Sequence, residues 1–83
     1  MRILVVEDDW DLRDALSGTL ELAGFDVLVA ESAEDALSVL SAEVVDMVIT
    51  DVNMGAMDGH QLLDRIRADY PFIPVVLITA YGS

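Results

Sequence analysis

Hydrophobic and polar positions fall into short blocks along this chain, and the period changes from block to block. Ile3-Leu4-Val5-Val6 is an unbroken aliphatic run, the pattern of a strand buried on both faces. Leu12, Ala15, Leu16, Thr19, Leu20 and Ala23 then recur at helical spacing, which predicts one buried helix face. Gly24 follows as a left-handed stop, and the acids at the start of the helix favour its dipole. Phe25 to Ala30 reads as a second strand centred on Val27, Leu28 and Val29. Ser32 and Asp35 have the spacing of a helix cap, and Ala33, Ala36, Leu37 and Leu40 form the stripe behind it. Met47-Val48-Ile49-Thr50 is a third buried strand, ending at Asp51. A loop rich in Gly, Asn and Asp runs from Asp51 to Gly59. Leu62, Leu63 and Ile66 carry a third helix that should end before Tyr70-Pro71, and Val75 to Thr79 form a fourth strand.

The order is β-α-β-α-β-α-β with short connections. Right-handed crossovers turn that order into a doubly wound α/β domain, a parallel sheet with helices on both faces. The 83 residues suffice for one small domain, and the apolar fraction of 54% is that of a globular chain. No apolar run approaches the roughly 20 residues of a membrane helix, and acids follow the first strand too soon for a secretory signal. Cysteine is absent, which excludes a disulfide framework and a thiolate metal site. The cytoplasm is the expected compartment.

Charge changes the picture more than composition does. The formal net charge is −12, and all the basic side chains are arginine. Such a surface repels nucleic acid and suits a cation or a basic protein. In open parallel sheets, ligands sit beyond the carboxyl ends of the strands. Here those ends carry Glu7, Asp8 and Asp9, then Asp51, then Thr79. Carboxylates brought that close repel one another unless one takes a proton or a cation intervenes. With no lysine in the chain, an all-oxygen divalent site follows, and Mg²⁺ suits it. A carboxylate beside such an ion can act as a nucleophile toward phosphorus. Asp9 and Asp11 have the simpler role of capping and dipole pairing at a helix start. Trp10 is expected beside the acid pocket, partly exposed, and His60 at the start of a surface helix.

Four ordered blocks then resemble a known family, the receiver domain of bacterial two-component response regulators. They are Ile3-Leu4-Val5-Val6-Glu7-Asp8-Asp9, Val48-Ile49-Thr50-Asp51-Val52-Asn53-Met54, Met57-Asp58-Gly59 and Pro74-Val75-Val76-Leu77-Ile78-Thr79-Ala80. The resemblance implies a flavodoxin-like sheet with strands in the order 2-1-3-4. It makes Asp51 the phosphoacceptor and Asp8 the principal Mg²⁺ ligand. Glu7 would support the metal through water, Asn53 through its main-chain carbonyl, and Thr79 would be the switch hydroxyl. Asp9, Met54 and Gly55 would lie in loops near the site. The donor would be a phosphohistidine on a sensor histidine kinase. The wording from Asp51 to Met54, from Met57 to Leu63 and from Ile78 to Ser83 looks most like receivers of enhancer-binding, sigma-54-dependent transcription activators.

The sequence departs from the family in two ways. Gly55 stands where a proline is usual, which loosens the loop. The last family blocks are also missing: a fifth strand with its aromatic switch residue and phosphate-pairing lysine, and two helices. An open apolar fourth strand is therefore expected to make the chain unstable alone, or prone to self-association by edge pairing or segment exchange. Readings from other classes are a non-catalytic interaction fragment and an aspartyl-nucleophile phosphatase. The phosphatase needs a second acid two residues after the nucleophile, where Asn53 stands.

Overall fold

A computed structural model of the chain describes residues 1–52 and 59–78. β1 (Arg2–Val6), β2 (Asp26–Ala30), β3 (Met47–Asp51) and β4 (Val75–Ile78) form one parallel sheet. The strand order is β2-β1-β3-β4, as the resemblance implies. Between the strands lie α1 (Trp10–Leu22), α2 (Ala33–Ala42) and α3 (Gly59–Asp69). Among the described residues, no helix is long and apolar enough to cross a membrane.

Local chemistry sets the element ends. Asp9 caps α1 by accepting the Leu12 N–H at 3.2 Å, and Ser32 caps α2 by accepting the Asp35 N–H at 3.0 Å. Gly24 adopts a φ of 94°, so the chain leaves α1 in a conformation that disfavours a side chain. Gly24 N–H then reaches Glu21 O at 3.0 Å and Phe25 N–H reaches Leu20 O at 3.1 Å, a Schellman closure. That closure uses the Phe25 amide, so β2 begins at Asp26, one residue later than the apolar run predicts.

The register divides the sheet into two faces. Leu4 pairs with Leu28 and Val48, Val6 with Ala30 and Thr50, and Val48 with Val75. Alternation puts these residues on one side. There Leu4, Val6, Ala30 and Val48 pack with Ala33, Ala36 and Leu40 of α2 and with Leu62 and Ile66 of α3. Leu62 and Ile66 are fully buried, and each such side chain stabilises the fold by roughly 1.5–3 kcal/mol.

Among the described residues the opposite face has only α1 over it, and here the sequence expectation needs correction. Leu12, Leu16 and Leu20 are half-buried, whereas Ala15, Thr19 and Ala23 are exposed. The buried member of α1 is Ser17, whose hydroxyl donates to Arg13 O at 2.7 Å and so needs no further partner. A helix buries only as much of its stripe as its neighbours cover, and α1 rests mainly on β1 and β2.

Candidate metal centre

The parallel strands place their carboxyl ends along one edge of the sheet. β1 leads directly into Glu7 and Asp8, and Asp51 is the last residue of β3. In the register, Val6 stands beside Thr50 and Asp51 beside Ile78. Glu7, Asp8 and Asp51 each offer a carboxylate oxygen, and these oxygens lie within 4.8 Å of one another. Glu7 and Asp51 are buried at 1% and 4% exposure, while Asp8 faces solvent.

Glu7 is under the greatest electrostatic load. Its Oε2 accepts the Asp9 N–H at 3.1 Å, but its buried Oε1 has no hydrogen-bond partner. Burial, first, pushes its pKa from 4.5 up to about 7. Closeness to Asp8 and Asp51 pushes the same way, because a shared proton relieves the repulsion, and the Asp9 amide opposes it. A buried carboxylate oxygen without a donor, facing two more carboxylates, is completed by a proton or by a cation. An all-oxygen donor set with one solvent-facing member fits Mg²⁺, which keeps several waters.

Two residues outside the predicted site set matter here. Arg13 Nη1 donates to the main-chain oxygen of Glu7 at 3.0 Å, tying α1 to the acid-bearing turn. Arg13 stands one helical turn after the Asp9 cap, and its N–H bonds Asp9 O at 2.9 Å, so its position was readable from the cap. Gly59 opens α3 and its N–H bonds Val52 O at 3.1 Å. A Cβ on Gly59 would lie 2.8 Å from Val52 Cα and 3.0 Å from the carbonyl carbon of Asp51. Only glycine lets α3 start so close to Asp51.

The other expected site residues are distributed as follows. Asp9 caps α1 and contributes its amide to Glu7, while its carboxylate serves the cap. Asn53, Met54, Gly55 and Thr79 lie outside the described residues. Trp10 is 65% exposed and lines a groove between α1 and β2. His60 is exposed in the first turn of α3.

Comparison with known proteins points the same way. The response regulator receiver domain family matches residues 3–83. The response regulator protein FleR of Pseudomonas aeruginosa is 56% identical over 82 residues, which cover 99% of this chain and 17% of FleR. The C4-dicarboxylate transport transcriptional regulatory protein DctD of Rhizobium meliloti is 45% identical over 98% of this chain and 18% of its own length. The chain thus spans less than a fifth of these two relatives. Among solved structures, the response regulator TrrA of Thermotoga maritima, in complex with Mg²⁺-BeF, superposes with a TM-score of 0.93 at 33% identity. That match covers 98% of this chain and 70% of TrrA.

Proposed function

The chain belongs to the response regulator receiver domain family, and from that premise we propose that Asp51 accepts a phosphoryl group with Mg²⁺ held beside it. The observation that carries this reading is the cluster of Glu7, Asp8 and Asp51, with its buried, partnerless Glu7 oxygen. Asp8 and Asp51 would hold the ion directly and Glu7 through water. Asn53 would add its main-chain carbonyl. The ion supplies charge neutralisation for the carboxylates and for the incoming phosphoryl group. An Asp51 oxygen forms the new bond to phosphorus as the bond to the donor's histidine nitrogen breaks, and the histidine keeps that electron pair. Arg13 holds the Glu7 main chain while this happens. Thr79 follows Ile78, the register partner of Asp51, and would turn its hydroxyl toward the phosphoryl group.

The donor in this proposal is a sensor histidine kinase in the cytoplasm. The output is transcriptional, as the name of the relative DctD supports. The chemistry stops at self-phosphorylation and self-dephosphorylation, without turnover of a separate substrate. A second reading concerns assembly. Among the described residues β4 ends the sheet opposite β2, and its Val76 is 43% exposed, so a second copy could pair along it. Sedimentation should then show concentration-dependent dimers that Val76→Lys removes, and a monomer at all concentrations would exclude them.

Beryllofluoride binding tests the site itself. Fluorine NMR should show a bound species only when Mg²⁺ is present, and Asp8→Ala should lose it. A bound signal that ignores Mg²⁺ would contradict the proposed metal role.

A further inference from the structure

Among the described residues β2 ends the sheet, since β1 alone pairs with it. Asp26 N–H donates to Met1 O at 3.1 Å, and Ala30 O accepts from Glu7 N–H at 3.0 Å. Backbone groups alternate in direction along a strand, so Asp26, Leu28 and Ala30 direct theirs to β1. Val27 and Val29 therefore point their N–H and C=O groups outward. Their side chains form one wall of a groove of about 320 Å³ against α1. Trp10, Asp14 and Glu21 line its other wall, spaced along one stripe of the helix.

The β2 wall of this groove is apolar, and the α1 wall carries two acids beside Trp10. Trp10 is 65% exposed and Val29 46%. Asp14 and Glu21 form no ion pair among the described residues. Arg13, the basic residue of the groove, has Nη1 turned to the Glu7 carbonyl. Asp26 and Glu31, both exposed, add negative charge at the two ends of β2.

The geometry points to a docking site for an extended partner segment in which lysine or arginine alternates with apolar residues. Such a segment adds to β2 as an outer strand. Its backbone takes the outward groups of Val27 and Val29, which gives affinity without reading sequence. By alternation its basic side chains face α1, their aliphatic stems along Trp10 and Val29 and their charges at Asp14 and Glu21, while its apolar ones face the other way, beside Leu28. Trp10 also offers an aromatic face to a cation. A second copy of this chain fits badly, because it would bring another net charge of −12 to an acidic edge. The competing account is that these acids only guard a free edge against pairing. The inference goes beyond the phosphoacceptor reading and does not depend on it.

The test titrates a short peptide of alternating lysine and valine into the chain. Emission of Trp10, the sole tryptophan, is followed together with backbone amide shifts. The expected result is saturable binding, weakened by salt, with large shifts at Val27 and Val29. The same peptide N-methylated along one edge should bind about tenfold more weakly or worse, since it keeps charge and apolar groups but loses strand donors. The double variant Asp14→Asn with Glu21→Gln should weaken binding roughly threefold to tenfold at an unchanged circular dichroism spectrum. Equal binding of the N-methylated peptide, or of a glutamate–valine peptide, would overturn the proposal. So would an absence of shifts at Val27 and Val29, which leaves edge protection as the role of the acids.

Discussion

The two faces of the sheet start from the same aliphatic strands and end in different states. On the side of α2 and α3, Leu4, Val6, Val48 and Thr50 are all at 0% exposure. On the side of α1, Ile3 and Val5 of central β1 are buried, but Ile49 and Val27 are half-buried, and Val29 and Val76 are exposed. Burial toward the edge strands falls further on that face than on the other, where Leu28, Val75 and Leu77 stay half-buried, because among the described residues α1 alone lies over it. Asp51 falls on the α1 side by alternation, continuing from Ile49. The closed face supplies stability, and the thinly covered face carries the phosphoacceptor candidate and the groove beside β2. A mutation should therefore do opposite things on the two sides: unfold the chain on one, alter binding on the other.

Core truncation is the largest expected break in that contrast. Leu62→Ala or Ile66→Ala should cost about 2–5 kcal/mol in urea unfolding, enough to unfold a small domain. Val76→Ala on the other face should cost less than about 1 kcal/mol, because the side chain is already 43% exposed. Equal costs would mean that the faces are not divided as described.

Gly59→Ala comes next, at about 1–3 kcal/mol, since the new methyl meets the backbone of Asp51 and Val52 rather than a movable side chain. Its amide spectrum should change mainly at residues 50–52 and 59–62, where the close approach occurs. A silent substitution would contradict the tight start of α3.

Glu7 gives a pH-dependent test. Its folded pKa is about 7 against 4.5 unfolded, so the folded chain binds the proton more tightly. Without divalent cations, this group weakens the fold as pH rises from about 4.5 to about 7, and the loss is complete above that window. Glu7→Gln should flatten that slope in chelator-treated samples. Mg²⁺ should raise the melting temperature of the native chain most at the alkaline end, where Glu7 is ionised. Asp9→Ala should cost about 1 kcal/mol from loss of the α1 cap, with the Glu7 contact kept because it uses the Asp9 amide.

Much of this was legible in the chain because the periods are clean. The stripes of α2 and α3 and the acids closing β1 and β3 were read in place, since strand ends in a parallel sheet share one edge. Ser17 is invisible to an apolar pattern because its burial depends on a hydroxyl that bonds back to Arg13 O. The predicted α1 stripe extends to Ala15, Thr19 and Ala23, which are exposed, because periodicity shows what a helix offers and not what covers it. Gly59 reads as turn and helix entry, and α3 does begin there, but its further constraint, backbone against backbone at Asp51, is a tertiary fact. The roles of Asn53 and Thr79 rest on resemblance alone.

The central claim is that Asp51 is the phosphoacceptor of a receiver domain. Intact mass and peptide mapping after incubation with acetyl phosphate and Mg²⁺ test it most directly. The account predicts one added phosphoryl group, on Asp51, lost on hydroxylamine treatment and absent in Asp51→Asn. Phosphoryl on another residue, or an unmodified chain under conditions where it is folded and Mg²⁺-bound, would contradict it.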